Sequence, residues 1–129
     1  LNRGESPIFE PGLSEMLQRN IAVKQIQFTT EASQAIQNAE IIFIAVGTPP
    51  GADGAADLSA VFSVAKTIGE NLENDALILN KSTVPVGTAN QVKNIISDAL
   101  KARGKNIEFD IASNPEFLRE GAAIQDFMK

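Results

Sequence analysis

Apolar residues fall along this chain in two alternating patterns. Short, nearly unbroken runs at Ile41 to Val46 and Ala76 to Asn80, with a sparser one at Ile107 to Ala112, read as strands of a buried parallel sheet. Between them Leu58, Val61, Ala65, Ile68 and Leu72 recur every three or four positions, as do Val92, Ile95, Ile96, Ala99 and Leu100. That spacing predicts two helices, each with one apolar face. Ile26 to Thr29 is a further strand candidate. Strands alternating with amphipathic helices predict an α/β fold, a parallel sheet buried on both faces with helices on each. Asp57 stands where it can cap the first helix, Thr88 with Gln91 makes a capping-box pattern for the second, and Gly104 suits that helix's end.

Each predicted strand runs into a loop with unusual content: GTPPGADGAAD after 41–46, KSTVPVGT after 76–80, and SNPEFLREG after 107–112. All three lie at carboxyl ends of strands, where open α/β sheets bind ligands. The stretch AVGTP, residues 45 to 49, is either a strand-ending turn or a place where Gly47 lets the backbone approach a flat ligand and Thr48 supplies a hydrogen bond. Asp53-Gly54 carries turn chemistry and no assigned reaction. In KSTVPVGT a helix start accounts for Pro85, Gly87 and Thr88, while Ser82 and Thr83 read as hydroxyl donors to a ligand or water. In SNPEFLREG, Asn114 can cap a helix, Pro115 suits its first position and Glu116 favours its positive end. Glu120 has no such role. On one helical turn Glu116 and Glu120 would repel, so that one holds its proton longer, the arrangement a general acid/base pair uses.

Composition narrows the chemistry. The chain has 129 residues, with 43% hydrophobic and 21% charged, proportions of a globular domain. Its net charge of -5 and the lack of any basic block disfavour nucleic-acid or anionic-membrane binding. The longest apolar run is too short to span a bilayer and no secretion signal is visible, so a cytoplasmic location is expected. With no cysteine and no histidine, any chemistry carried here uses carboxylates, hydroxyls, lysines or backbone amides, and no metal is expected. The first residue is Leu1, and no G-x-G-x-x-G turn occurs in the first sixty residues, so the chain reads as a piece of a dinucleotide-binding domain entered partway through.

Taken together, PIFEPGL at 7 to 13, FTTEASQAIQNAEIIFIAVGTPP at 28 to 50, DGAADLSAV at 53 to 61, NKSTVPVGT at 80 to 88 and SNPEFLREGAAIQDF at 113 to 127 resemble the UDP-glucose/GDP-mannose dehydrogenase family of nucleotide-sugar 6-dehydrogenases. The resemblance implies a Rossmann-like parallel sheet with helices on both faces, lacking its first βαβ unit, with residues 1–129 forming part of an NAD-binding domain. A central helix and a C-terminal UDP-binding domain would lie outside this chain. It implies NAD as cofactor and UDP-glucose as substrate, oxidised twice at C6 through a cysteine thioester to UDP-glucuronate, in a homodimer or larger homo-oligomer. Carried over, Val46, Gly47, Thr48, Pro49, Ser82, Thr83, Val84 and Glu120 look like cofactor contacts. Thr83, Glu116 and Glu120 look catalytic, and Glu116, Phe117, Leu118, Arg119 and Glu120 resemble the substrate-lining segment. Two other readings stay open: a dehydrogenase acting on GDP-mannose or a UDP-N-acetylamino sugar, and a non-catalytic Rossmann-like binding remnant.

Overall fold

The computed structural model describes residues 1–129 apart from Asp53, Glu116 and Lys129. In chain order the elements are α1 (Leu13–Ala22), α2 (Ala32–Ile36), β1 (Ile41–Ile44), α3 (Ser59–Asn71), β2 (Ala76–Asn80), α4 (Thr88–Ala102), β3 (Phe109–Ser113) and α5 (Ala123–Met128). They divide into two compact units, residues 31–116 and residues 1–30 with 117–129.

In 31–116 the three strands form a parallel sheet in the order β1-β2-β3, with Ile44, Asn80 and Ser113 side by side at one edge. Ile44 and Ile78 turn into the same cluster as Val61, Ala65 and Ile68 of α3, Val92 and Ile96 of α4, and Ile36 of α2. Each fully buried valine or isoleucine among them contributes about 1.5–3 kcal/mol, so the two predicted apolar stripes largely account for why the helices lie where they do. The helices approach closely at Gly69, where a Cβ would stand 2.6 Å from Ala99 Cβ and 2.9 Å from the Ile96 carbonyl oxygen. The other face of β1 is open, with Ile41 and Phe43 exposed at 55% and 54%. An unbroken apolar run predicts burial on both sides. One side is buried here, because the helices of 31–116 all join the same cluster.

Several expected boundaries move. Residues 26–29 are not a strand: the sheet ends at β1, and no strand among the described residues pairs with them. The third strand starts at Phe109, opposite Ala76, whereas Ile107 packs on the core before pairing begins. Asp57 does serve the start of α3, its Oδ1 accepting the Ser59 N–H at 2.9 Å, and that bond holds its carboxyl below the usual range. The capping box at α4 does not form. Gly87, with φ of 93°, occupies the cap position, and the buried Thr88 hydroxyl donates to the Pro85 carbonyl at 2.8 Å. Gly104 ends α4 as predicted, with φ of 66° and bonds from its own N–H to Lys101 O and from Lys105 N–H to Leu100 O, a Schellman closure. Arg103 then donates to the Gly69 and Leu72 carbonyls at the end of α3, at 3.0 and 2.8 Å, and pairs with Glu73. Gly54, at φ of 77°, donates its N–H to the Gly51 carbonyl at 3.0 Å, while Asp53 of the expected Asp53-Gly54 turn lies outside the described residues.

In the unit of 1–30 and 117–129, α1 buries Leu17. Leu13 and Met16 of α1, with Ile124, Phe127 and Met128 of α5, line an apolar cleft of about 240 Å³.

Candidate functional site

Because the strands are parallel and end in register, the loops after β1, β2 and β3 leave the sheet at one edge. The ladder continues one residue beyond the strands, with Lys81 N–H donating to Ile44 O at 2.8 Å and Asn114 N–H to Asn80 O at 2.9 Å. Two side-chain bonds then cross between the first two loops. The Ser82 hydroxyl donates to Val46 O at 2.7 Å, and the Thr48 hydroxyl donates to Thr83 O at 2.9 Å. A hydroxyl has one proton, so neither Ser82 nor Thr48 donates to a ligand while these bonds stand; each keeps lone pairs that accept. Ser82, expected to donate to a ligand or water, here has its hydroxyl engaged within the protein. Its backbone N–H is also engaged, by Asn80 Oδ1 at 3.3 Å.

The result is a braced ledge. Val46 and Val84 are half-buried against the core cluster, while Gly47, Pro49 and Thr83 are exposed. A Cβ added at Gly47 would meet nothing within 4 Å, so open space lies above the backbone there. The third loop joins through Lys81, whose Nζ donates to Asn114 Oδ1 at 3.2 Å.

No helix starts at Asn114. Its backbone N–H extends the sheet ladder, and its Oδ1 accepts from Lys81. Residues 117–119 are irregular, 120–122 form a turn, and helix resumes only at Ala123. Glu120, one member of the expected carboxylate pair, opens that turn. Glu116 itself lies outside the described residues. Of the remaining candidates in this segment, Phe117, Arg119 and Glu120 are exposed and Leu118 is half-buried.

Arg119 is ion-paired rather than open. Its Nε and Nη2 donate to the two oxygens of Asp126 at 2.9 and 2.7 Å, and its backbone N–H reaches Asp126 Oδ2 at 3.2 Å. These bonds lower the Asp126 pKa to about 2 and raise that of Arg119. A second carboxylate holds the same turn from far away in sequence: Glu10 Oε2 accepts the Gly121 N–H at 2.9 Å, and Oε1 accepts that of Ile124 at 3.4 Å. Neither Glu10 nor Asp126 was singled out from sequence. Glu10 stood only inside PIFEPGL, and an arginine and aspartate seven apart give no periodic signal.

The profile described as UDP-glucose/GDP-mannose dehydrogenase family, NAD binding domain, matches residues 1–129. A UDP-glucose 6-dehydrogenase from Pseudomonas aeruginosa is 48% identical over 129 residues, which are 100% of this chain and 28% of that protein. Among solved structures, a UDP-glucose dehydrogenase from Pyrobaculum islandicum superposes with a TM-score of 0.86 at 40% identity, covering 99% of this chain and 30% of that one. A ternary complex of GDP-mannose dehydrogenase from Pseudomonas aeruginosa gives a TM-score of 0.88 at 36% identity, covering 98% and 30%. The chain thus spans less than a third of the length of these relatives.

Proposed function

The chain belongs to the UDP-glucose/GDP-mannose dehydrogenase family, as its NAD binding domain, and we propose that the protein carrying it oxidises UDP-glucose to UDP-glucuronate. The observation that carries this reading is 48% identity, unbroken over the full chain, to a UDP-glucose 6-dehydrogenase. The ledge suits the cofactor by its shape: a glycine with open space above it, flanked by half-buried valines on loops braced against one another. Val46 to Pro49 and Ser82 to Val84 would hold NAD, which when bound accepts the hydride lost from C6.

The chain's own polar groups would manage protons and water around that step. Glu116 takes the proton from the C6 hydroxyl and later serves hydrolysis of the thioester, whose cysteine is not among these residues. Thr83, exposed at the ledge, positions the hydrolytic water. Glu120 orients water or cofactor, and Phe117, Leu118 and the backbone around Arg119 line the sugar nucleotide. The full-length protein would act in the cytoplasm as a homodimer or larger homo-oligomer, without nucleic-acid or membrane partners.

NADH production by the full-length protein tests this, with UDP-glucose, GDP-mannose and UDP-N-acetylamino sugars offered in parallel. Turnover of UDP-glucose with two NADH formed per sugar is expected. GDP-mannose is the competitor to beat, given the closeness of fold to a GDP-mannose dehydrogenase. Preference for it would move the substrate assignment, and NAD binding without oxidation of any sugar would favour a binding remnant.

A further inference from the structure

Residues 117–120, in the segment implied to face the sugar, are neither helix nor strand, so something other than a sheet ladder or helix must hold them in place. Residues 117–119 make no regular structure, and the turn at 120–122 includes Gly121 at φ of 77°, a left-handed conformation that glycine adopts without strain. Two carboxylates grip this turn from either side. Asp126 takes the backbone and guanidinium of Arg119, and Glu10, more than a hundred positions earlier, takes the backbone N–H of Gly121. Glu120 lies between the two held residues.

From this juxtaposition we propose that Glu10 is a positioning residue for the reaction, fixing the Gly121 amide and through it the place of Glu120. This rests on the functional reading above. A carboxylate accepts backbone N–H bonds more strongly than a neutral oxygen does, and Glu10 Oε2 makes such a bond to Gly121 at 2.9 Å while Oε1 stands 3.4 Å from the Ile124 nitrogen. Asp126 holds Arg119, whose carbonyl also accepts the Ala122 N–H at 3.1 Å, and Glu10 adds an anchor from a distant part of the chain at the residue directly after Glu120. Displacing a group by about 1 Å at a reacting centre costs on the order of a hundredfold in rate, which makes such a distant carboxylate kinetically visible.

The test uses the full-length protein with Glu10→Ala and Glu10→Gln. Glutamine keeps one carbonyl oxygen to accept the Gly121 N–H, and alanine keeps none. For Glu10→Ala the expected results are faster hydrogen exchange in the peptide spanning 118–128 and a fall in kcat/KM for the sugar nucleotide on the order of tenfold to a hundredfold. KM for NAD should change less than kcat/KM for the sugar nucleotide, because the ledge proposed to hold most of the cofactor lies on other loops, and Glu10→Gln should recover most of both effects. Wild-type exchange and kinetics in Glu10→Ala, or a loss that Glu10→Gln does not relieve, would overturn the proposal. If the unmutated protein oxidises no nucleotide sugar, the functional reading fails instead, and the exchange measurement still decides whether Glu10 holds the turn.

Discussion

Removing the Ser82 hydroxyl separates a bracing role from a ligand-donor role. Ser82 is 8% exposed and its hydroxyl is 2.7 Å from Val46 O, so Ser82→Ala leaves that carbonyl facing a space too confined for easy rehydration. A neutral hydrogen bond contributes about 0.5–1.5 kcal/mol net, and stranding a buried partner raises the loss to about 1–3 kcal/mol. Thr48→Val removes the parallel bond to Thr83 O, but Thr48 is only half-buried and water can replace the donor, so about 0.5–1 kcal/mol is expected. Both bonds join the same two loops, so the double variant should show a coupling of at least about 0.5 kcal/mol instead of simple addition. With no tryptophan or tyrosine in the chain, urea unfolding is best followed by far-ultraviolet circular dichroism. In the full-length protein the same changes should raise KM for NAD, as the ledge loosens. If Ser82→Ala weakens NAD binding while leaving the unfolding midpoint and slope at wild-type values, the hydroxyl serves the ligand directly and the bracing account is wrong.

Three further outcomes follow from other parts of the molecule. Gly69→Ala forces a contact of 2.6 Å with Ala99 Cβ; overpacking of about 1–3 kcal/mol outweighs a helix-propensity gain of up to about 1 kcal/mol, so urea titration should show net destabilisation. Glu116→Gln in the full-length protein keeps shape but cannot take a proton, and should lower kcat on the order of a hundredfold or more with little change in sugar binding, as initial-rate kinetics would reveal. Asp126, lowered from 3.8 to about 2 by Arg119, contributes its stabilisation in full above the unfolded value and loses it as pH falls through about 2. Carboxyl NMR should therefore place its titration near pH 2, and Arg119→Met should return it towards the ordinary range.

The three strands of 31–116 and its two long helices could be read from the chain because their signals are local, whereas the five-residue α2 was not predicted. Val61, Ala65, Ile68 and Leu72, like Val92, Ile96 and Leu100, are buried where their spacing put them, and Gly104 ends its helix through its own backbone. Loops at the carboxyl ends of the strands were likewise expected as the site, since parallel strands must all leave at one edge. Candidate site residues could be named by type but their partners could not. Nothing in KSTVPVGT announces that Ser82 gives its proton to Val46 or that Lys81 takes the side chain of Asn114, because those bonds join residues 36 and 33 positions apart.

The same limit applies at Asn114, where no helix starts. Local propensity favoured a cap there, and its backbone N–H extends the sheet ladder instead. Residues 26–29 had strand composition with no neighbouring strand among the described residues, and composition without a partner does not make a ladder. Glu10 is the clearest case: an acidic residue before Pro-Gly has no chemistry of its own in the sequence. Only folding brings its carboxylate, across 111 positions, to the amide of Gly121, because hydrogen bonds are made by proximity in space and periodicity reports only neighbours along the chain.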